Sequence, residues 1–168
     1  MEIEGGLCKM EVINGSISCS KGLNKDVINK IIEIGKKEGF QLDSKGEIII
    51  KLSAEQIPPE VWISLKLLGL WAAYKVLDEF YDAIKRLIKK TKKDAGILPL
   101  IIINQGDNNE IIINPYVEDE KNLDGSLNKL KDYLNQDGEK KGWQWYNEEK
   151  KEWGDINKVE EWHKQSSK

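Results

Sequence analysis

The sequence predicts an α+β fold: a mostly antiparallel sheet covered by helices, with a long apolar helix at its centre and a tryptophan-rich β-hairpin near its C-terminal end. Three observations carry that expectation. Short apolar runs bounded by turn residues recur along the chain, notably at residues 100–103 and 110–113. Between them lie longer stretches whose apolar residues return every three or four positions, the period of a helix packed on one side. A hydrophobic fraction of 39% beside 33% charged residues is enough for a core under a polar surface.

The opening reads as a hairpin. Residues 8–12 and 17–20 alternate apolar and polar, and Asn14-Gly15 between them is a strong signal for a two-residue type I′ turn. That register sets Met10 opposite Cys19, with Cys8 a diagonal neighbour, so both thiols are expected to be small core residues. Asn24 then caps a first helix with an apolar stripe of Val27, Ile28, Ile31, Ile32 and Ile34, stopped by Gly39. Gly46 is expected to open a strand over residues 47–52, whose isoleucine run suits a central position.

After Pro58-Pro59 the sequence predicts its longest element, a helix from Glu60 to about Lys93. Residues 61–74 hold Lys66 as their one charge, and Trp62, Leu65, Leu68 and Trp71 are expected to pack on the sheet. Fourteen residues fall short of the roughly 20 that span a bilayer. The second half is amphipathic, with Val76, Leu77, Phe80, Ile84, Leu87 and Ile88 on one side. It ends in six cations among residues 85–93, including Lys85, Arg86, Lys89 and Lys90, which suit the negative end of a helix dipole and could also meet an anionic partner.

A second hairpin joins residues 100–103 to 110–113 through Asn104-Gln105-Gly106-Asp107-Asn108-Asn109, with Pro115 after it. A third helix, about residues 119–136, carries Leu123, Leu127, Leu130 and Leu134 and stops at Gly138. A ferredoxin-like arrangement would fit residues 47–136. From Gly142 onward the chain holds four of its six tryptophans, which marks this tail as different from the rest. Residues 143–147 and 152–153 read as a hairpin with a charged turn, followed by a short helix capped by Asp155 or Asn157 and carrying Val159 and Trp162. Two parts are therefore expected: an α+β body over residues 1–138 and a hairpin-plus-helix appendage over residues 139–168.

Charge and missing chemistry narrow the function. A formal charge of −3 argues against a protein that coats polyanions. The chain has 25 lysines and one arginine, Arg86, so it lacks the rigid forks that read guanine edges and clamp phosphates. Twenty-two isoleucines and 12 asparagines beside those lysines fit an AT-rich bacterial or phage coding sequence. No signal peptide is visible, and two cysteines do not make a disulfide scaffold, so a cytoplasmic protein is expected. His163 is the sole histidine, close to the C-terminal end, and cannot form a triad or, with Cys8 and Cys19, a recognised zinc spacing. Cys19-Ser20-Lys21-Gly22 before a helix could offer amides to an anion, but Lys25 stands where a cysteine phosphatase needs arginine. Asp107 and Glu110 lack calcium-loop spacing. Neither a catalytic group nor a cofactor or metal is therefore expected.

What remains is the aromatic tail. Trp143 and Trp145 lie two apart, so on a strand they share a face, with Gln144 and Tyr146 on the other. Together with Trp153 they either form a minimal core or present rings to a partner. The Trp-x-Trp spacing with a later tryptophan is similar to that of WWE domains, which bind ADP-ribose derivatives; the likeness is confined to this tail and assigns no binding residue. The expected function is a non-catalytic protein acting through protein–protein contact, of inhibitor, immunity or adaptor type. The expected contact residues are Trp143, Trp145, Tyr146 and Trp153, with Lys85, Arg86, Lys89 and Lys90. The alternatives are a small-ligand, sugar or nucleic-acid binder using the tail and the lysine cluster, and a peripheral membrane protein.

Overall fold

The computed structural model describes residues 13–19, 23–47, 61–66, 74–104, 110–135 and 141–166. In chain order the elements are β1 (Ile13–Cys19), α1 (Lys25–Lys37), β2 (Phe40–Glu47), β3 (Val61–Lys66), α2 (Tyr74–Ala95), β4 (Leu100–Asn104), β5 (Glu110–Ile113), α3 (Lys121–Leu134), β6 (Gly142–Asn147), β7 (Glu152–Gly154) and α4 (Ile156–Ser166). The class is α+β, as the sequence predicts. The strands lie in the order β2-β1-β3-β4-β5-β6-β7. Three neighbouring pairs, β1–β2, β3–β4 and β5–β6, are parallel, and the other three are antiparallel, so the sheet is mixed rather than mostly antiparallel.

Each parallel pair is bridged by one helix, because parallel neighbours need a long crossover. The chain thus runs through three successive β-α-β units and closes with β7 and α4. Helices α1, α2 and α3 pack side by side on one face of the sheet, where Ile17, Ile63, Ile101 and Ile113 form an in-register row beneath them. Gln144 continues that row on β6. Helix α4 lies on the opposite face, since a Cβ on Gly154 of β7 would collide with Lys158 and Trp162.

Strands β1 and β5 point the same way, yet β2 and β6 lie on opposite sides of them while α1 and α3 share a face. The first and third crossovers therefore have opposite hands, although about 98% of such connections are right-handed.

Several local expectations are corrected. Asn14-Gly15 forms no turn: both lie inside β1, and the first hairpin is replaced by a parallel β1–β2 pair. Gly15 is there because a Cβ would come within 2.4 Å of the Ser64 carbonyl on β3. Cys8 and Met10 lie outside the described residues, and Cys19 at the end of β1 is partly buried against the core. Gly46 does not open a strand; it lies near the end of β2, which starts at Phe40, and residues 48–52 are outside the described set.

The long helix is also shorter than expected. Residues 61–66 form β3, and α2 begins at Tyr74. A short run of valine, tryptophan, isoleucine and leucine suits a strand buried on both faces as well as a buried helix, and the sheet decides it. Trp62 and Leu65 are buried as expected, but within the sheet, on its two faces; Leu68 and Trp71 lie outside the described residues.

Other elements match. Asn24 caps α1 by accepting the Asp26 N–H at 2.8 Å, and Gly39 follows with a φ of 91°. The β4–β5 and β6–β7 hairpins form, α3 buries Leu127, Leu130 and Leu134, and Asp155 caps α4 by accepting the Lys158 N–H at 3.1 Å.

Candidate functional site

The tail aromatics divide between the two faces of the sheet, as their alternation predicts. Trp143 and Trp145 lie on the face away from α1–α3, half-buried, with ring centroids 5.8 Å apart and planes within 10°. Trp143 continues an in-register row that crosses Ser16, Ser64, Ile102 and Ile112, each of them partly exposed. Its part over β4, β5 and β6 is apolar and ends in two stacked indoles. Beside it Trp62, 4% exposed, holds an indole N–H with no hydrogen-bond partner among the described residues.

Tyr146 and Trp153 face the other way and pack on each other with centroids 5.5 Å apart. Trp153 is 4% exposed; its ring lies 6.4 Å from the Tyr133 ring in a stacked arrangement and donates its indole N–H to the Ser126 carbonyl of α3 at 2.8 Å. Tyr133 donates its hydroxyl to the Gln144 side-chain oxygen. Burial, with the charge of Asp155, pushes the Tyr133 hydroxyl up to about 12. Trp153 is thus part of the core, and its ring is not offered to a ligand.

The cationic end of α2 is engaged along its length. Arg86 and Lys90 clamp the Glu38 carboxylate at the end of α1, Arg86 at 2.7 Å. Lys89 pairs with Asp124 at 2.7 Å, Lys92 with Glu120 at 3.2 Å, and Lys85 donates to Asn128, so α2 is laced to α3. Glu38 sits where the dipole of α1 disfavours a carboxylate. Burial would raise its pKa, but hydrogen bonds and charge from Arg86 and Lys90 outweigh burial and hold it below the ordinary glutamate value. The cations that the sequence reads as a docking patch thereby also hold three helices together.

A third feature had no local signal in the sequence. Glu148, in the β6–β7 turn, accepts the Glu118 N–H at 2.8 Å, the Asp119 N–H at 3.1 Å and the Asn122 side-chain N–H at 2.9 Å. Its carboxylate stands before the N-terminus of α3, where the dipole favours it. Burial would raise its pKa, but the hydrogen bonds from Asn122, Glu118 and Asp119 together outweigh burial and leave it below the usual range. A cleft of about 490 Å³ opens between α3, β7 and the start of α4, lined by charged residues of both signs, Asp132 and Lys151 among them. His163 is exposed on α4. Among the described residues no group of three or more His, Cys, Asp or Glu could hold a metal ion, and no helix is long and apolar enough to cross a membrane.

No protein-family model matches the chain, and no curated protein matches it. Among solved structures it is similar to a macrophage migration inhibitory factor-like protein from Entamoeba histolytica, at 14% identity and a TM-score of 0.38, over 58% of this chain and 91% of that one.

Proposed function

We propose that this chain is a non-catalytic protein of inhibitor, immunity or adaptor type, which acts by docking another protein on the sheet face that carries Trp143 and Trp145. The observation that supports this reading is the pair of stacked, half-buried indoles at the end of the apolar row through Ile102 and Ile112, on the face away from α1–α3. Large rigid rings that are partly exposed in the free protein are the usual source of binding energy at protein interfaces. The joint bias toward lysine, isoleucine and asparagine supports a bacterial or phage source.

The test compares Trp143→Ala and Trp145→Ala in melting temperature and in partner capture from host lysate. Docking predicts that Trp145→Ala loses capture, by about 2 kcal/mol or more of binding, while the melting temperature moves little. A large fall in melting temperature with capture retained by the folded fraction would make the rings structural and send the interface elsewhere. Capture through this face should also be nearly indifferent to salt, unlike capture through lysines.

A further inference from the structure

β7 is the last strand of the sheet, so one side of its backbone pairs with no other described strand. Which of its groups point outward follows from β5. The Asn114 N–H donates to the Gln144 carbonyl at 3.1 Å, so Gln144 turns its backbone groups toward β5. Its neighbour Trp145 must turn its own toward β7, where it is paired with Gly154, and Asn147 does the same with Glu152. Trp153, between those two partners, therefore directs its N–H and carbonyl away from β6 and out to the open edge.

That edge forms one wall of the 490 Å³ cleft, a volume within the roughly 300–1,000 Å³ of ligand sites. Asp132 on the α3 side and Lys151 on the turn side are both exposed. Among the described residues neither of these side chains has an ion-pair or hydrogen-bond partner. The strand between them does not need to be ordered by a ligand, because the Trp153 ring is already fixed by Ser126. The Lys129 ammonium, donating to the Lys151 carbonyl at 2.8 Å, bridges from α3 to the turn at the head of the strand.

We propose that this edge takes up an extended peptide segment that pairs its backbone with Trp153 and carries charged side chains of both signs, a cation toward Asp132 and an anion toward Lys151. Adding a strand to an open edge draws affinity from main-chain hydrogen bonds and selectivity from the flanking side chains. The site is separate from the Trp143–Trp145 face, so one can fail without the other.

The experiment uses the full chain labelled with nitrogen-15 and two blocked pentapeptides that alternate lysine and glutamate with valine, one in each charge order. Each has a twin methylated on its backbone nitrogens, which cannot pair as a strand. The expected result is a saturable downfield shift of the Trp153 amide at millimolar peptide, absent with the methylated twins. Asp132→Asn and Lys151→Gln should each weaken binding about threefold, as for exposed ion pairs, and the double variant more than either. No saturable shift with either charge order, equal binding of the methylated twins, or shifts confined to the Trp143 and Trp145 indoles would each overturn the proposal.

Discussion

Gln144 has no exposed surface, yet both ends of its amide are used. Its oxygen accepts from the Tyr133 hydroxyl, and its nitrogen donates to the Lys141 carbonyl at 3.0 Å. Tyr133→Phe would strand that oxygen in the core, at a cost of about 1–3 kcal/mol, or about 2–4 °C of melting temperature per kcal/mol for a chain of this size. Replacing both partners, in Tyr133→Phe with Gln144→Leu, should recover most of the loss, because the unmet polar group is then gone. The tyrosine also sets an alkaline limit. Its hydroxyl is raised from 10.0 to about 12 in the folded protein, so its contribution is complete below pH 10.0 and lost as pH rises through about 12. Melting curves across that range should show the wild type converging on Tyr133→Phe. At this scale the sequence was half legible. The alternation placed Gln144 opposite Trp143 and Trp145, but nothing local marks Tyr133 as its partner. Asn14-Gly15 misled for a physical reason: glycine serves a tight turn and a close strand approach equally well, and the second is recognisable only once Ser64 is seen against it.

Helix α3 shows how an element can depend on a distant residue. Its N-cap, Glu120, makes no side-chain cap bond; Asp119 accepts the Lys121 N–H at 3.1 Å, and Glu148 from the β6–β7 turn fixes the chain just before the helix through the Glu118 and Asp119 amides. Glu148→Ala should therefore destabilise α3 by about 1 kcal/mol, with hydrogen exchange at the Glu118 and Asp119 amides accelerated more than at Leu127 in mid-helix. Equal acceleration throughout α3 would mean that Glu148 acts on the whole fold rather than on the helix end. Elements whose cues are local were read well: the Asn24 cap, the leucine stripe of α3, the Asp155 cap and both later hairpins. Element β3 was not, because its four apolar residues fit two periods at once, and only its neighbours β1 and β4 fix it as a strand.

For the molecule as a whole, sheet order was the least legible property. Pairing partners such as Ile17 and Ile63, or Ile113 and Gln144, are far apart in sequence and leave no periodicity to read. Three β-α-β units emerge from a chain without an evident sequence repeat, and the third has the opposite hand to the first. The last of these units closes through β6, whose Gln144 extends the core row and whose partner strand carries Trp153. A chain ended at residue 138 would leave the outer edge of β5 and the inner face of α3 bare, and its thermal transition should broaden and lose cooperativity. A sharp, near-native transition would show instead that residues 1–138 fold by themselves. The strand order has a mechanical side as well. From β3 to β7 the strands lie in chain order, ending at the sheet margin, whereas β1 is wedged between β2 and β3. A load on the C-terminal end peels α4 away, then meets the three-residue β7 and opens its bonds to β6 one after another, like a zip. A load on the N-terminal end must drag β1 out between two neighbours at once. Held between its ends in an optical trap, the protein should yield from the C-terminal side at low force, however high its melting temperature.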